Sequence, residues 1–182
     1  MPNSWLDTSA SNYSIRPARL EDLPRLPEIE KAASQLFRNT DYFELADDTG
    51  PDLEVFQDWW RNGAIWVAAD TEDHAVGFAV AEEIDAQGFL TELDVHPDHG
   101  RRGLGRQLIE RVRAWAAERG YEVFQLSTFG DVEWNAPYYA RLGFRILAED
   151  ELGSGLLEVR KEEAESGLDV TRRVFMTLST GK

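Results

Sequence analysis

The stretch Leu90-Thr91-Glu92-Leu93-Asp94-Val95-His96-Pro97-Asp98-His99-Gly100-Arg101-Arg102-Gly103-Leu104-Gly105-Arg106-Gln107-Leu108-Ile109 decides how this chain is read. It is a strand, a tight polar turn and the start of a long helix. Leu90, Leu93 and Val95 supply strand-forming bulk, and Pro97 and Gly100 punctuate the turn. Leu104, Leu108, Ile109, Val112, Trp115 and Ala116 then recur at helical spacing, which predicts one apolar helix face. The helix is expected over 103–119, with Gly120 as its C-cap. Gly100, Gly103 and Gly105 sit where strand hands over to helix. Glycine lets backbone N–H groups approach a ligand closely. The first helical turn offers unpaired N–H donors and the positive end of the dipole. Such a turn suits a diphosphate, and Arg101, Arg102 and Arg106 add positive charge there.

Three phosphate-binding patterns compete for this turn. The Gly-x-x-x-x-Gly-Lys-Ser/Thr run of the P-loop is missing from the chain. The dinucleotide fingerprint Gly-x-Gly-x-x-Gly lacks its third glycine, because Gly103-Leu104-Gly105 is followed by Arg106, Gln107 and Leu108. Glu122 lies about the right distance downstream, but at the start of the next expected strand. A ribose-binding acid belongs at a strand's carboxyl end. The third pattern is Gln/Arg-x-x-Gly-x-Gly/Ala after a strand ending in Val-x-Pro. Here it reads Gly100-Arg101-Arg102-Gly103-Leu104-Gly105.

That third pattern resembles the acetyl-CoA loop of the GNAT superfamily of N-acetyltransferases, with Gly100 where the family usually has Gln or Arg. A second block, Trp134-Asn135-Ala136-Pro137-Tyr138-Tyr139-Ala140-Arg141-Leu142-Gly143-Phe144, resembles the family's Asn…Tyr-x-x-x-Gly-Phe segment. A weaker likeness lies at Ser14-Ile15-Arg16-Pro17-Ala18 with Asp22-Leu23. The resemblance implies an α/β (α+β) fold with one mixed central sheet flanked by helices. It also implies transfer of an acetyl group from acetyl-CoA to a primary amine of a small molecule or protein, by direct attack in a ternary complex. A non-catalytic acyl-CoA sensor or interaction domain of the same fold is the alternative.

Under that resemblance the main chain of Leu93, Asp94 and Val95 pairs with the pantetheine arm. Arg101, Arg102, Gly103, Leu104, Gly105 and Arg106 take the diphosphate, and Asn135 and Tyr139 complete the cofactor-binding set. Tyr139 matches the family tyrosine that protonates the departing thiolate, a phenol with pKa of about 10 serving as acid. Tyr138 is expected to be the core aromatic of the pair. Asn135 is expected to bond the cofactor or to N-cap the following helix.

Amine attack also needs a base, since an alkyl amine has a pKa of about 10.4. Glu92 is the first candidate, and Asp94 alternates onto the same face of a regular strand. A bulge would change the parity, so the choice among Thr91, Glu92, Asp94 and a water relay stays open at this point.

In chain order, the residues predict a flexible segment over 1–12 and a single domain over 13–182. Strands are expected at 13–16, 64–69, 75–84, 89–95, 121–128, 144–147 and 172–178. Helices are expected at 21–37, 53–61, 103–119, 136–142 and 155–166. The acidic stretch 39–52 is a candidate substrate-side loop or a solvated connector.

The 182 residues carry a net charge of −15, which argues against nucleic acid as principal partner. An acidic protein with an arginine-rich helix suits an anionic cofactor on that face and a cationic amine elsewhere. Arg111, Arg113 and Arg119 are expected to form a solvated face with Glu110 and Glu118. No cysteine is present, which excludes disulfides and a thiol nucleophile. Of the histidines His74, His96 and His99, the last two flank Pro97 in a turn and no third ligand lies at metal-binding spacing, so no metal is expected. No apolar run approaches a membrane span and no signal peptide is read. A cytoplasmic monomer or homodimer is therefore expected. Of the tryptophans, Trp134 is the expected exception to core packing.

Overall fold

The computed structural model describes residues 12–181. The expected flexible segment over 1–12 lies outside them, apart from Asn12. Seven strands form one mixed sheet. They are β1 (Ser14–Pro17), β2 (Ala64–Ala69), β3 (Ala75–Ile84), β4 (Gln87–Val95), β5 (Val123–Phe129), β6 (Arg145–Ile146) and β7 (Arg173–Ser179). The helices are α1 (Leu26–Ser34), α2 (Leu53–Asn62), α3 (Leu104–Glu118), α4 (Ala136–Arg141) and α5 (Ser154–Glu165). Sheet order is β1-β2-β3-β4-β5-β7-β6. β4 runs parallel to β5 over Gly88–Leu90, while β7 lies antiparallel to both β5 and β6. The expected order of elements and the mixed sheet are both found.

The chain divides into two compact units. One comprises the residues up to Val80 with Glu92–Arg111; the other comprises Ala81–Thr91 with the residues from Val112 onward. The first has a core of Leu23, Leu26 and Ile29 against Phe56, Ile65, Val67, Phe78 and Val80. The second packs Phe89, Leu156 and Phe175 with Ile84, Leu152 and Val159. The apolar face read for α3 is buried residue for residue: Leu104, Leu108, Ile109, Val112, Trp115 and Ala116 are all below a tenth exposed.

Two expectations need correction. The helix over 21–37 is instead a 3-10 turn (Leu20–Arg25), the α-helix α1 and a second 3-10 turn (Gln35–Asn39). Pro24 lies inside the first turn and Pro27 at the start of α1; neither has the N–H that a continuous α-helix needs. The turn before β4 is also shorter than expected. Asp85 and Ala86, at φ +52 and +56, connect β3 to β4 alone, as a two-residue hairpin of the mirror-image type does. Arg111 and Arg119 also stack over Trp66 and Trp115 at 5.2 and 5.1 Å, and Arg113 Nε donates to Ser179 O at 3.0 Å.

Asp85 has a second task that the sequence did not announce. Its carboxylate accepts from Gly155 N at 2.9 Å and from Leu156 N at 3.4 Å, capping α5 from seventy residues away. A Cβ on Gly153 would lie 2.3 Å from Asp85 Oδ2, so the close approach requires glycine. No helix among the described residues is long and apolar enough to cross a membrane.

Candidate active site

The turn between β4 and α3 is anchored on β3 and closed by local bonds. His96 N donates to Val76 O at 2.8 Å, and Pro97–His99 form a single 3-10 turn closed by Gly100 N on Pro97 O at 3.0 Å. A Cβ on Gly100 would sit 3.1 Å from that same carbonyl. Arg101 follows at φ +59 and Gly103 at φ +76, two left-handed residues around Arg102. Alternation of this kind turns successive N–H groups toward one concave side, the geometry of an anion nest. Gln107 N then donates to Gly103 O at 3.1 Å and the α3 ladder begins. A Cβ on Gly103 would meet nothing within 4 Å, so the space beside this backbone is open. Arg101, Arg102 and Arg106 are exposed around it.

His99 is held rather than loose. Its Nδ1 lies 2.9 Å from Tyr13 Oη, and the Arg102 guanidinium sits 5.9 Å from the centre of the Tyr13 ring. The first strand's approach thus braces the turn, a contact that spans more than eighty residues of sequence. Among the described residues no group of three or more His, Asp or Glu is arranged to hold a metal ion.

On β4 the three candidate bases separate. Thr91 Oγ1 donates to Glu82 Oε2 at 2.7 Å, which commits Thr91 to the neighbouring strand. Glu92 and Asp94 share a side-chain hydrogen bond and so face the same way, as regular alternation requires. Asp94 Oδ2 is buried and has no hydrogen-bond partner, although other atoms of the residue are partly exposed. Its backbone is pressed against β3, where a Cβ on Gly77 would lie 2.9 Å from Asp94 O.

Burial holds the Asp94 carboxyl well above its usual range, and the negative charges of Glu92 and Glu30 push it further. Glu30, on α1, is itself raised, first by burial and then by Asp48; its Oε2 is also buried without a partner. Glu30 escaped the sequence reading. The signal was its place four residues after Leu26 and three before Ala33, on the stripe expected to be apolar.

The linkage has a definite sign. Folded Asp94 keeps a proton that the unfolded chain releases near pH 4, so stability falls as pH rises from there toward the folded pKa. Asp94→Asn keeps a neutral donor facing Glu92 and removes that penalty. The variant should gain melting temperature relative to the parent between pH 5 and pH 8, by ~2–4 °C for each 1 kcal/mol relieved. Thermal melts at the two pH values check this; a difference that does not widen with pH refutes the protonated Asp94.

In the second unit, α4 carries the other block. Tyr139 is 8% exposed and packs edge-to-face on Tyr138 and Phe144, with ring centres 5.5 Å apart in each case. Tyr138 is only half-buried, so the core position expected for Tyr138 belongs to Tyr139. Gly143, at φ +97, ends the helix, and Phe144 N returns to Tyr139 O at 3.1 Å. Tyr-x-x-x-Gly-Phe is therefore one closed unit of local structure. Asn135 stands at the N-cap of α4, but its side chain makes no capping bond; Asn135 O accepts from Tyr139 N at 3.0 Å instead. Trp134 is 38% exposed, as expected of the exception among the tryptophans, and Trp60 joins it at 40%.

Comparison with known proteins places these features in a family. A family model described as the acetyltransferase (GNAT) family matches residues 29–144, a span that holds the turn, the β4 acids and Tyr139. A mycothiol acetyltransferase of Propionibacterium freudenreichii is 33% identical over 98 residues, covering 52% of this chain and 31% of that protein. The match therefore spans about a third of the length of that curated relative. An acetyltransferase of the GNAT family from Staphylococcus aureus superposes with a TM-score of 0.70 at 19% identity, over 92% of this chain and 99% of that one. The PaiA N-acetyltransferase of Thermoplasma acidophilum, solved in complex with coenzyme A, superposes with a TM-score of 0.66 at 14% identity, over 92% and 98%. At such identities the structural likeness concerns the fold.

Proposed function

We propose that this chain, which belongs to the acetyltransferase (GNAT) family, transfers the acetyl group of acetyl-CoA to a primary amine by direct attack in a ternary complex. The observation that carries the reading is the pair of left-handed residues, Arg101 and Gly103, feeding the first turn of α3. The open space at Gly103 fits a diphosphate, and Arg101, Arg102 and Arg106 supply its counter-charge. Leu104 and Gly105 contribute first-turn N–H groups to the same anion. The main chain of Leu93, Asp94 and Val95 pairs with the pantetheine arm in strand fashion, and the family resemblance adds Asn135 and Tyr139.

Acetyl-CoA supplies an activated acyl group. Glu92 takes one proton from the acceptor ammonium and leaves a neutral amine. The proton that Asp94 retains lets its hydroxyl donate to Glu92 and hold that carboxylate in place. Nitrogen then forms a bond to the thioester carbon, and the C–S bond breaks with its electron pair on sulfur. Tyr139 gives its phenolic proton to sulfur, and the second nitrogen proton restores the phenol. The products are an amide, the free thiol and the proton that Glu92 then releases to solvent, with no covalent enzyme intermediate.

A thermal-shift series with acetyl-CoA, CoA and NAD tests the cofactor. A ligand at 100 times its Kd adds about 2.7 kcal/mol, a rise on the order of 5–10 °C for this size. The two CoA compounds are expected to raise the melting temperature, and NAD is not. A rise with CoA but no thiol release with any amine would turn the reading toward an acyl-CoA sensor.

A further inference from the structure

Arg101 carries a Cβ and is nevertheless held at φ +59, two residues before Gly103 at φ +76. A side chain in that region is strained and persists only where its surroundings over-determine it. Part of what holds it comes from outside the turn. The Tyr13 hydroxyl lies 2.9 Å from His99 Nδ1, and the two rings meet edge-to-face with centres 5.8 Å apart. The Arg102 guanidinium sits 5.9 Å from the centre of the same Tyr13 ring. One side chain therefore grips the turn on both sides of Arg101. Tyr13 is itself fixed, because the next residue, Ser14, opens β1 and pairs with Ala69 of β2. Among the described residues His99 also borders a cavity of about 630 Å³, shared with Arg19, Asp73 and Val76. Open space rather than packed atoms lies against the turn there. His96 N on Val76 O anchors the start of the turn, and Tyr13 anchors its middle.

We infer that Tyr13 is a positioning residue for the cofactor: its hold on His99 and Arg102 sets the Arg101–Gly103 backbone in its anion-binding shape before the diphosphate arrives. The inference rests on the diphosphate site proposed above and adds to it a residue from the other end of the chain. A nest binds through N–H groups that must point to one side together. Ordering them at the moment of binding would subtract the entropy of ordering from the affinity, and Tyr13 removes that cost in advance. The same ring keeps the charge of Arg102 beside the turn. Stacking holds a guanidinium by its face and leaves its N–H edge for phosphate oxygens.

Calorimetric titration with CoA of the parent, Tyr13→Phe, His99→Ala and the double variant tests the inference. Tyr13→Phe keeps the ring under Arg102 and loses only the bond to His99. It is expected to raise the Kd by about three- to tenfold. Tyr13→Leu, which takes the ring from Arg102 as well, should raise it by about tenfold or more. In the His99→Ala background Tyr13→Phe should cost almost nothing further, because the bond it would break is already gone. Losses that multiply in the double variant overturn the inference, as does a Tyr13→Phe protein with parental affinity.

The order of the turn is also read without ligand. Gly100 N and Gln107 N are bonded to Pro97 O and Gly103 O. Their hydrogen exchange should quicken by about three- to tenfold in Tyr13→Phe, while amides in the middle of α3 keep the parental rate. Quickening all along α3 would mean general loosening and overturns a role confined to the turn; so does an unchanged rate at Gly100 and Gln107. Failure of CoA to bind the parent protein would strike the diphosphate reading instead, and the exchange rates would still decide whether Tyr13 orders the turn.

Discussion

Gly103→Val is expected to weaken CoA binding by about a hundredfold or more while the protein stays folded. Two costs act, and they fall on different observables. The first is conformational. Gly103 sits at φ +76, where a residue with a Cβ pays about 1–2 kcal/mol and a β-branched one pays the most. That lowers the melting temperature by ~2–8 °C. The second cost is steric and touches only the ligand. A Cβ at this position meets no protein atom within 4 Å, so the new side chain projects into the open space beside the nest. Displacing a diphosphate from two charge-assisted N–H bonds accounts for the hundredfold loss. Calorimetric titration with CoA measures the second cost, and a thermal melt measures the first. Gly103→Ala carries most of the conformational cost with less bulk and should fall between. A Gly103→Val protein with parental affinity would remove the diphosphate from this turn.

The turn was legible in the sequence because its backbone path is set mostly by local residues. Glycine spacing, the preceding Pro97 and the apolar period of α3 are all contained within about thirty residues, and the buried face of α3 matches the reading throughout. The Tyr139 block was legible for the same reason: Gly143 and Phe144 close onto Tyr139 within one turn. Which of Tyr138 and Tyr139 is the more buried was not legible. A helix of six residues has no room for a period to declare its face.

The features missed are the long-range ones. Asp85 looks like a turn residue and nothing more until Gly155 arrives against it. Tyr13 and His99 give no sign of each other in sequence. Glu30 did leave a trace, as an acid on an apolar stripe, but its partners Asp48 and Asp94 come from a loop and a strand that no local pattern links. Parity on β4 was the intermediate case. Alternation alone put Glu92 and Asp94 on one face, and only the bond of Thr91 to Glu82 shows which residue the neighbouring strand claims.

Glu92→Gln is expected to cost between about a hundredfold and ten-thousandfold in kcat at neutral pH, with acetyl-CoA affinity kept. The carboxamide oxygen can still accept from Asp94, so the packing of the pair survives and the lost element is basicity. The pH profile separates this from a damaged site. With no base, the rate follows the fraction of acceptor already neutral. It should climb tenfold per pH unit until the pH nears the amine pKa of about 10.4. The deficit relative to the parent therefore shrinks steadily as pH rises. A merely misplaced substrate would give a deficit independent of pH, and that result would take the base role from Glu92. Tyr139→Phe supplies the opposite signature. The ring contacts to Tyr138 and Phe144 remain, and the acceptor is deprotonated as before, so the rate should fall without that tenfold climb. The loss should diminish when the thioester carries a more acidic thiol, because such a thiolate departs without a proton. The two variants thus report on the two ends of one transfer, the nitrogen that must lose protons and the sulfur that must gain one.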